Sequence, residues 1–312
     1  MDWLQNISIT CFAASYAVVF VLEITRVYFD LGFRRLLRIG FAAAGLLAHT
    51  IFLFLQGRLV MDSTGIWLSN WYDWCMAAAW ILAAAYLWIS IRQPSSVFGL
   101  FLIPVVLALI AAGAQLGSQN QFTIGPAKTI WNRIHGSALL MGTAVVALGF
   151  VFGFVYVLQS RHLKLKLPQS KYFRLPSLEW LERSSENSLI VSTVFLALGL
   201  VSGIAVNLVS GGDPDAGGTI AWSDPVVWSS AILFLWLLAV SIFNYCYQPA
   251  RQGRKVAYLV IASFVFLALE LGIVWYVGHG TAGTGLDNSN SQSVVTDTRT
   301  GIDPNPPVGE PE

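Results

Sequence analysis

The sequence predicts an all-α, polytopic membrane helical bundle of about eight transmembrane helices. Two observations predict this fold class. Apolar residues make up 55% of the 312 residues and charged residues only 11%, whereas a soluble protein carries about 25% charged residues. Apolar runs of about 20 residues, long enough to cross ~30 Å of hydrocarbon, recur along the chain. Because backbone polar groups in lipid must pair locally, each run should form a helix.

The runs divide the chain into a transmembrane domain, residues 1–279, and a tail, residues 280–312. The tail is rich in Gly, Ser, Asn and Pro and carries five acidic residues and one arginine, a composition typical of disorder. The residues before the first run lack a basic start, so that run is interpreted as a retained span and not a signal peptide. The predicted spans are 7–28, 38–56, 72–91, 97–114, 134–158, 188–209, 226–247 and 256–278.

The distribution of Lys and Arg predicts the orientation of the bundle. Fourteen of the 18 basic residues fall in one alternating set of loops, and four fall in the opposite set. Since the basic set faces the cytoplasm, both termini are predicted to be extracytoplasmic, in a multi-pass protein of the inner (cytoplasmic) membrane. The largest cytoplasmic segment, residues 160–186, contains Leu178, Trp180 and Leu181 at spacings that indicate a short amphipathic helix along the lipid headgroups.

Two histidines lie at predicted outer ends of different spans. His135 begins the fifth span and His279 closes the eighth. Two such imidazoles could be the axial ligands of one haem iron. Trp131 and Trp275 each precede one of these histidines by four residues, which puts each pair on one helix face and could set an indole against a porphyrin. The alternative is an ordinary aromatic belt at the membrane interface.

His49 lies inside the second predicted span, where an ionisable group indicates function by default. Glu270 is a second ionisable residue at similar depth, in the eighth span. We therefore hypothesise that the Glu270 carboxylate orients the His49 imidazole and raises its basicity as an intramembrane iron ligand. The alternative is that His49 is a core histidine whose hydrogen bonds are satisfied within the protein.

The outer loop between the sixth and seventh spans ends in Trp222-Ser-Asp-Pro-Val-Val-Trp228. Asp224 and Pro225 suit the N-cap and first turn of the seventh helix. Trp222 and Trp228 flank them and would offer flat aromatic surfaces, like a lid, to a flat apolar ring system. Arg133, close to His135, could pair with a haem propionate or be an ordinary solvated charge.

Together these residues resemble the integral-membrane cytochrome c assembly proteins, the group that contains CcsA, ResC, CcmC and HemX. That family carries a tryptophan-rich outer segment ending in W-x-W-D-P-K-E between two outer histidines. The segment Trp222–Trp228 is similar to a reduced form of it, with Val226 and Val227 in place of the Lys-Glu. The resemblance covers roughly residues 40–280, and the reduced segment is most similar to the HemX branch.

The resemblance implies a haem-handling protein of cytochrome c maturation. Haem b would be carried transiently, and the partners would be membrane lipid, a second membrane assembly protein and apocytochrome c, with no nucleic acid. Whether the chain takes part in haem attachment or only carries haem stays open, and no catalytic residue is predicted. The alternatives are a HemX-like accessory or regulatory protein of tetrapyrrole synthesis and a transporter of another small molecule. The residues expected to contact haem are His49, Trp131, His135, Trp222, Asp224, Trp228, Trp275 and His279.

Overall fold

The structure, a computed structural model, describes residues 9–26, 33–63, 68, 70–94, 96–116, 130–166, 175–210, 225–246 and 254–277. Eight α-helices lie within these ranges. They are α1 (Ile9–Thr25), α2 (Arg34–Ser63), α3 (Trp71–Arg92), α4 (Gly99–Leu116), α5 (Ile130–Lys164), α6 (Leu178–Ser210), α7 (Pro225–Cys246) and α8 (Arg254–Val277).

The helices have the length and composition of a multi-pass membrane protein. Six of the described helices, namely α2, α3, α5, α6, α7 and α8, are long and apolar enough to cross a membrane, and α1 and α4 are shorter apolar helices. Large apolar side chains such as Leu47, Ile190 and Leu235 are exposed along their outer faces, as expected for surfaces that contact lipid. The predicted all-α membrane bundle is therefore confirmed.

Successive helices pack as antiparallel pairs, because the start of one helix contacts the end of the next and the reverse. In α1 and α2, Phe12 stacks on His49 near one end and Glu23 pairs with Arg38 near the other. Two further pairs, α5 with α6 and α7 with α8, show the same arrangement. The three pairs are therefore antiparallel, and the orientation in the membrane that the Lys and Arg distribution predicts stays a prediction.

The buried side chains form two main clusters. The larger joins α1 to α5, the first turn of α6 and Ala257 at the start of α8, and it includes Phe12, Tyr16, Tyr86 and Leu181. The second lies among α5, α6, α7 and α8. Helix α5 contributes to both, so it lies between a first half, α1 to α4, and a second half, α6 to α8.

The segment that was expected to be a separate amphipathic helix belongs to α6. Leu178 begins this helix, which continues without interruption to Ser210. Leu181 is fully buried, and the Trp180 ring lies edge-on against the ring of Phe152. The prediction of a helix along the headgroups was wrong, because these apolar side chains pack on α5 and on the residues that precede α4.

Candidate functional site

His49 is fully enclosed by the first half of the bundle. Its side chain is 0% exposed, and its imidazole stacks on the ring of Phe12 with centroids 4.1 Å apart and planes 4° apart. The Tyr16 hydroxyl lies 3.4 Å from His49 Nδ1, within hydrogen-bonding distance. Helix α1 therefore covers His49 on two sides, and the main chain of Met76 on α3 borders the ring as well.

The second ring nitrogen of His49, Nε2, is inaccessible to solvent, and within the described residues its contacts do not meet strict hydrogen-bond geometry. The main chain of Met76 nevertheless interacts with the imidazole as a hydrogen-bond partner. His49 is thus bordered by Phe12 on its ring face, by Tyr16 at Nδ1 and by α3. The ligand role predicted for His49 stays a prediction.

The structure contradicts the predicted pairing of Glu270 with His49. Glu270 accepts a hydrogen bond from the Ser230 hydroxyl of α7, in the second half of the bundle. Helix α8 packs on α5, α6 and α7, whereas α2 packs on α1 and α3. The hypothesis failed because similar depth in a membrane does not specify which helices are neighbours. Tyr16 takes the position next to His49 that was assigned to Glu270.

His135 lies in the first turns of α5 and packs against α6. Its Nδ1 atom is 2.7 Å from the main-chain oxygen of Gly199. Its ring lies over Gly203, one turn further along α6, where an added Cβ would be 2.9 Å from His135 Cε1. The two glycines form a Gly-x-x-x-Gly pattern, which lets transmembrane helices approach closely. Because Gly199 and Gly203 have no side chains, the His135 imidazole can lie directly against the main chain of α6.

The described tryptophans near the predicted outer surface are available for contact. Trp131 is 41% exposed, one turn before His135, and Trp228 is 61% exposed in the first turn of α7. Helix α7 begins at Pro225, in agreement with the predicted Asp-Pro start. The remaining predicted contacts lie outside the described residues: Trp222, Asp224 and His279 in full, and Trp275 in its side chain.

The sequence reading missed a buried ionic cluster that joins α1, α2 and α3. Glu23 is 0% exposed and accepts hydrogen bonds from Arg38 Nη1 and from the Tyr86 hydroxyl, each at 2.9 Å. Arg38 also donates to the main-chain oxygen of Pro94, and Arg26 donates to that of Ser96. Glu23 lies inside the first predicted span, so the rule that drew attention to His49 could have found it too.

Another titratable side chain is buried at the opposite end of α3. Asp73 is 3% exposed, and its Oδ2 has no hydrogen-bond partner within the described residues. Its main-chain N–H donates to the side chain of Asn70, which caps the helix. Across the described ranges, no group of three or more His, Cys, Asp or Glu side chains is placed to hold a metal ion.

Comparison with known proteins decides the family. A family model described as Cytochrome C assembly protein matches residues 68–280, more than half of the chain. The chain belongs to the cytochrome c assembly protein family. The resemblance predicted from the sequence is thereby confirmed. His135, Trp228 and His279 lie inside the matched region, whereas α1, α2 and His49 precede it.

Two curated proteins are similar to this chain over most of their length. The cytochrome c biogenesis protein CcsA of Porphyra purpurea is 23% identical over 283 residues, which cover 77% of this chain and 86% of that protein. The CcsA protein of Pyropia yezoensis is 23% identical over 290 residues, which cover 79% and 88%. No solved structure matched the chain.

Proposed function

We propose that this cytochrome c assembly protein handles haem in the maturation of c-type cytochromes, in the cytoplasmic membrane. Haem b is the cargo, held at the outer surface between His135 and His279 beneath the Trp222–Trp228 loop. His49 is the intramembrane ligand. The observation that carries the proposal is the hydrogen bond that His135 Nδ1 donates to the Gly199 main-chain oxygen, in a chain of this family.

The hydrogen bond of His135 supports its role as the first outer ligand. A neutral imidazole that donates through Nδ1 has its lone pair on Nε2. Donation to the Gly199 carbonyl, 2.7 Å away, therefore suits ligation through Nε2. A metal-bound histidine almost always donates its other N–H to such an acceptor, which fixes the ring and raises its basicity.

Aromatic and charged residues complete the proposed outer site. Trp131 and Trp228 expose indole surface, and Trp275 belongs to α8, four residues before His279. Trp222 and Asp224 would cover the porphyrin from the loop before α7. The acceptor is an apocytochrome c with reduced thiols, brought by a partner membrane protein. The contribution of this chain is positioning, which can supply much of the barrier lowering in a two-component reaction.

The absorption spectrum of the purified protein tests the proposal. Full-length protein in detergent, from cells supplied with haem, should show sharp α and β bands on reduction. His135→Ala or His279→Ala should abolish the bis-histidine spectrum. His162→Ala is the matched control, since it removes an imidazole at the far end of α5 and should leave the bands unchanged. A colourless wild-type protein would refute haem carriage and favour the HemX-like accessory function.

A further inference from the structure

We propose that the groove between α2 and α3 binds an anionic phospholipid at the end where α2 begins and α3 ends. Arg35 and Arg92 hold the headgroup phosphate, and Trp88 borders the acyl chains next to it. The site belongs to the first half of the bundle, and none of the residues proposed to contact haem lines it. The inference is therefore independent of the proposed function.

On α3, the groove is bordered by a row of side chains at helical spacing. Trp80, Trp88 and Arg92 lie on one face, two turns and then one turn apart. The Trp80 indole donates to the Thr50 hydroxyl of α2 at 2.8 Å, which shows that this face is directed toward α2. Trp88 is 61% exposed, so the groove is open to lipid at this level.

On α2, the side of the groove is formed by small and aliphatic residues. Ala43 and Leu36 precede Thr50 by two and four helical turns, so they share its face, and both are exposed. At Gly40, an added Cβ would meet nothing within 4 Å. The groove therefore has room for an acyl chain beside the Trp88 ring.

Two exposed arginines lie at the end of this groove. Arg92 Cζ is 4.6 Å from the centroid of the Trp88 ring, and a cation–π contact of this kind orients the guanidinium over the ring. Its planar N–H donors match the oxygens of a phosphate group. Arg35 is exposed in the first turn of α2. One turn later, Arg38 donates to the main-chain oxygen of Pro94, so Arg35 and Arg92 lie at the same level.

The charges around this end of the groove favour an anion. Residues 23–38 and 92–98 contain five arginines and two acids; they are Arg26, Arg34, Arg35, Arg38 and Arg92, with Glu23 and Asp30. The Glu23 carboxylate already accepts hydrogen bonds from Arg38 and Tyr86. Arg34 and Arg38 are buried, where positive charge is poorly screened. A lipid with net negative charge complements this excess, and a zwitterionic lipid does not.

Native mass spectrometry of the full chain in detergent tests the site. Phosphatidylglycerol and phosphatidylcholine with identical acyl chains are added separately, and the apparent Kd of the first bound lipid is measured. Phosphatidylglycerol should bind more tightly. Arg35→Gln combined with Arg92→Gln should weaken its binding by about 25-fold, or about 5-fold for each arginine, which corresponds to about 1 kcal/mol. The affinity for phosphatidylcholine should stay the same.

Two single variants are matched controls. Arg58→Gln removes an exposed guanidinium that also lies over a ring, 4.5 Å from the Phe54 centroid, but at the opposite end of α2. Arg161→Gln removes an exposed cation from the last turns of α5. Both should keep the wild-type affinity for the first phosphatidylglycerol. Since all four substituted side chains are exposed, the variants should fold, and circular dichroism checks this.

Several results would overturn the inference. Equal affinity for the two lipids would show that the headgroup charge is not recognised. An unchanged affinity in the Arg35→Gln, Arg92→Gln protein would place the lipid elsewhere, and an equal loss in Arg161→Gln would reduce the effect to general attraction by basic residues. Displacement of phosphatidylglycerol by inorganic phosphate in excess would identify a site for free phosphate and contradict a lipid site.

Discussion

The ring of His135 lies over the α-carbon of Gly203, so close that an added Cβ would be 2.9 Å from Cε1 and 3.0 Å from Nδ1. The same imidazole donates a hydrogen bond through Nδ1 to the main-chain oxygen of Gly199, one turn earlier on α6. The position of this proposed ligand is therefore set by the absence of side chains on the neighbouring helix. Four consecutive contacts between α5 and α6 maintain the register that brings these residues together.

Gly203→Ala should displace His135. The added methyl group overlaps the ring, and overpacking of this kind typically costs about 1–3 kcal/mol. We expect a lower melting temperature in detergent and loss of the sharp α band of bound haem. Gly136→Ala is the control, because an added Cβ at this neighbouring position on α5 meets nothing within 4 Å. An unchanged α band in Gly203→Ala would show that His135 does not ligate from this position.

Glu23→Gln should destabilise the first half of the bundle strongly. Arg38 would remain 3% exposed without its carboxylate, and an uncompensated buried charge costs about 3–5 kcal/mol. Thermal unfolding followed by circular dichroism measures the effect. Replacing both partners with apolar residues, as in Glu23→Leu with Arg38→Met, should recover much of the loss. Glu179→Gln, at an exposed carboxylate in the first turn of α6, should have little effect.

Phe12→Ala should expose His49 to chemical modification. The wild-type imidazole is 0% exposed and covered by the Phe12 ring, so diethyl pyrocarbonate should leave it unmodified in the folded protein. Removing the ring uncovers one face of the imidazole, and mass spectrometry should then detect modified His49. Phe20→Ala truncates another phenylalanine of α1 and should keep His49 protected. Modification of His49 in the wild type would contradict its enclosure by α1.

Glu270→Ala should affect the contact between α7 and α8 and leave His49 unchanged. The variant leaves the Ser230 hydroxyl without its acceptor; the loss is about 1–3 kcal/mol for a fully buried donor and should be smaller at this partly buried contact. The melting temperature should fall in Glu270→Ala and much less in Glu270→Gln, whose amide oxygen still accepts. His49 should stay unmodified by diethyl pyrocarbonate in both variants, as in the wild type. Modification of His49 in Glu270→Ala would restore the Glu270–His49 pairing.

The sequence was sufficient to predict the eight helices, because their lengths follow from the thickness of the hydrocarbon layer. Helix ends were less predictable. The fifth span was predicted as 134–158, whereas α5 extends from Ile130 to Lys164, since its polar flanks continue the helix beyond the apolar run. The start of α7 at Pro225 was predictable because the Asp-Pro pair carries a local helix-start signal.

The partners of the site residues could not be predicted in the same way. The helices are apolar on most faces, so no amphipathic pattern indicates which side of α2 meets α1. His49 could be recognised as an intramembrane ionisable residue, but its contacts with Phe12 and Tyr16 depend on interhelical register. The pairing with Glu270 was wrong for this reason. The position of a residue within a predicted span follows from the sequence, but the residues on neighbouring helices that it contacts do not.

The constant register of α5 on α6 has a mechanical consequence. Contacts from Gly203 with His135 to Gly149 with Ser188 couple the two helices over several turns, so the pair should move as one stiff rod. Helix α5 is 35 residues long, or ~50 Å at 1.5 Å per residue. A tilt of this rod would therefore displace its basic end, with Arg161 and Lys164, and its His135 end together.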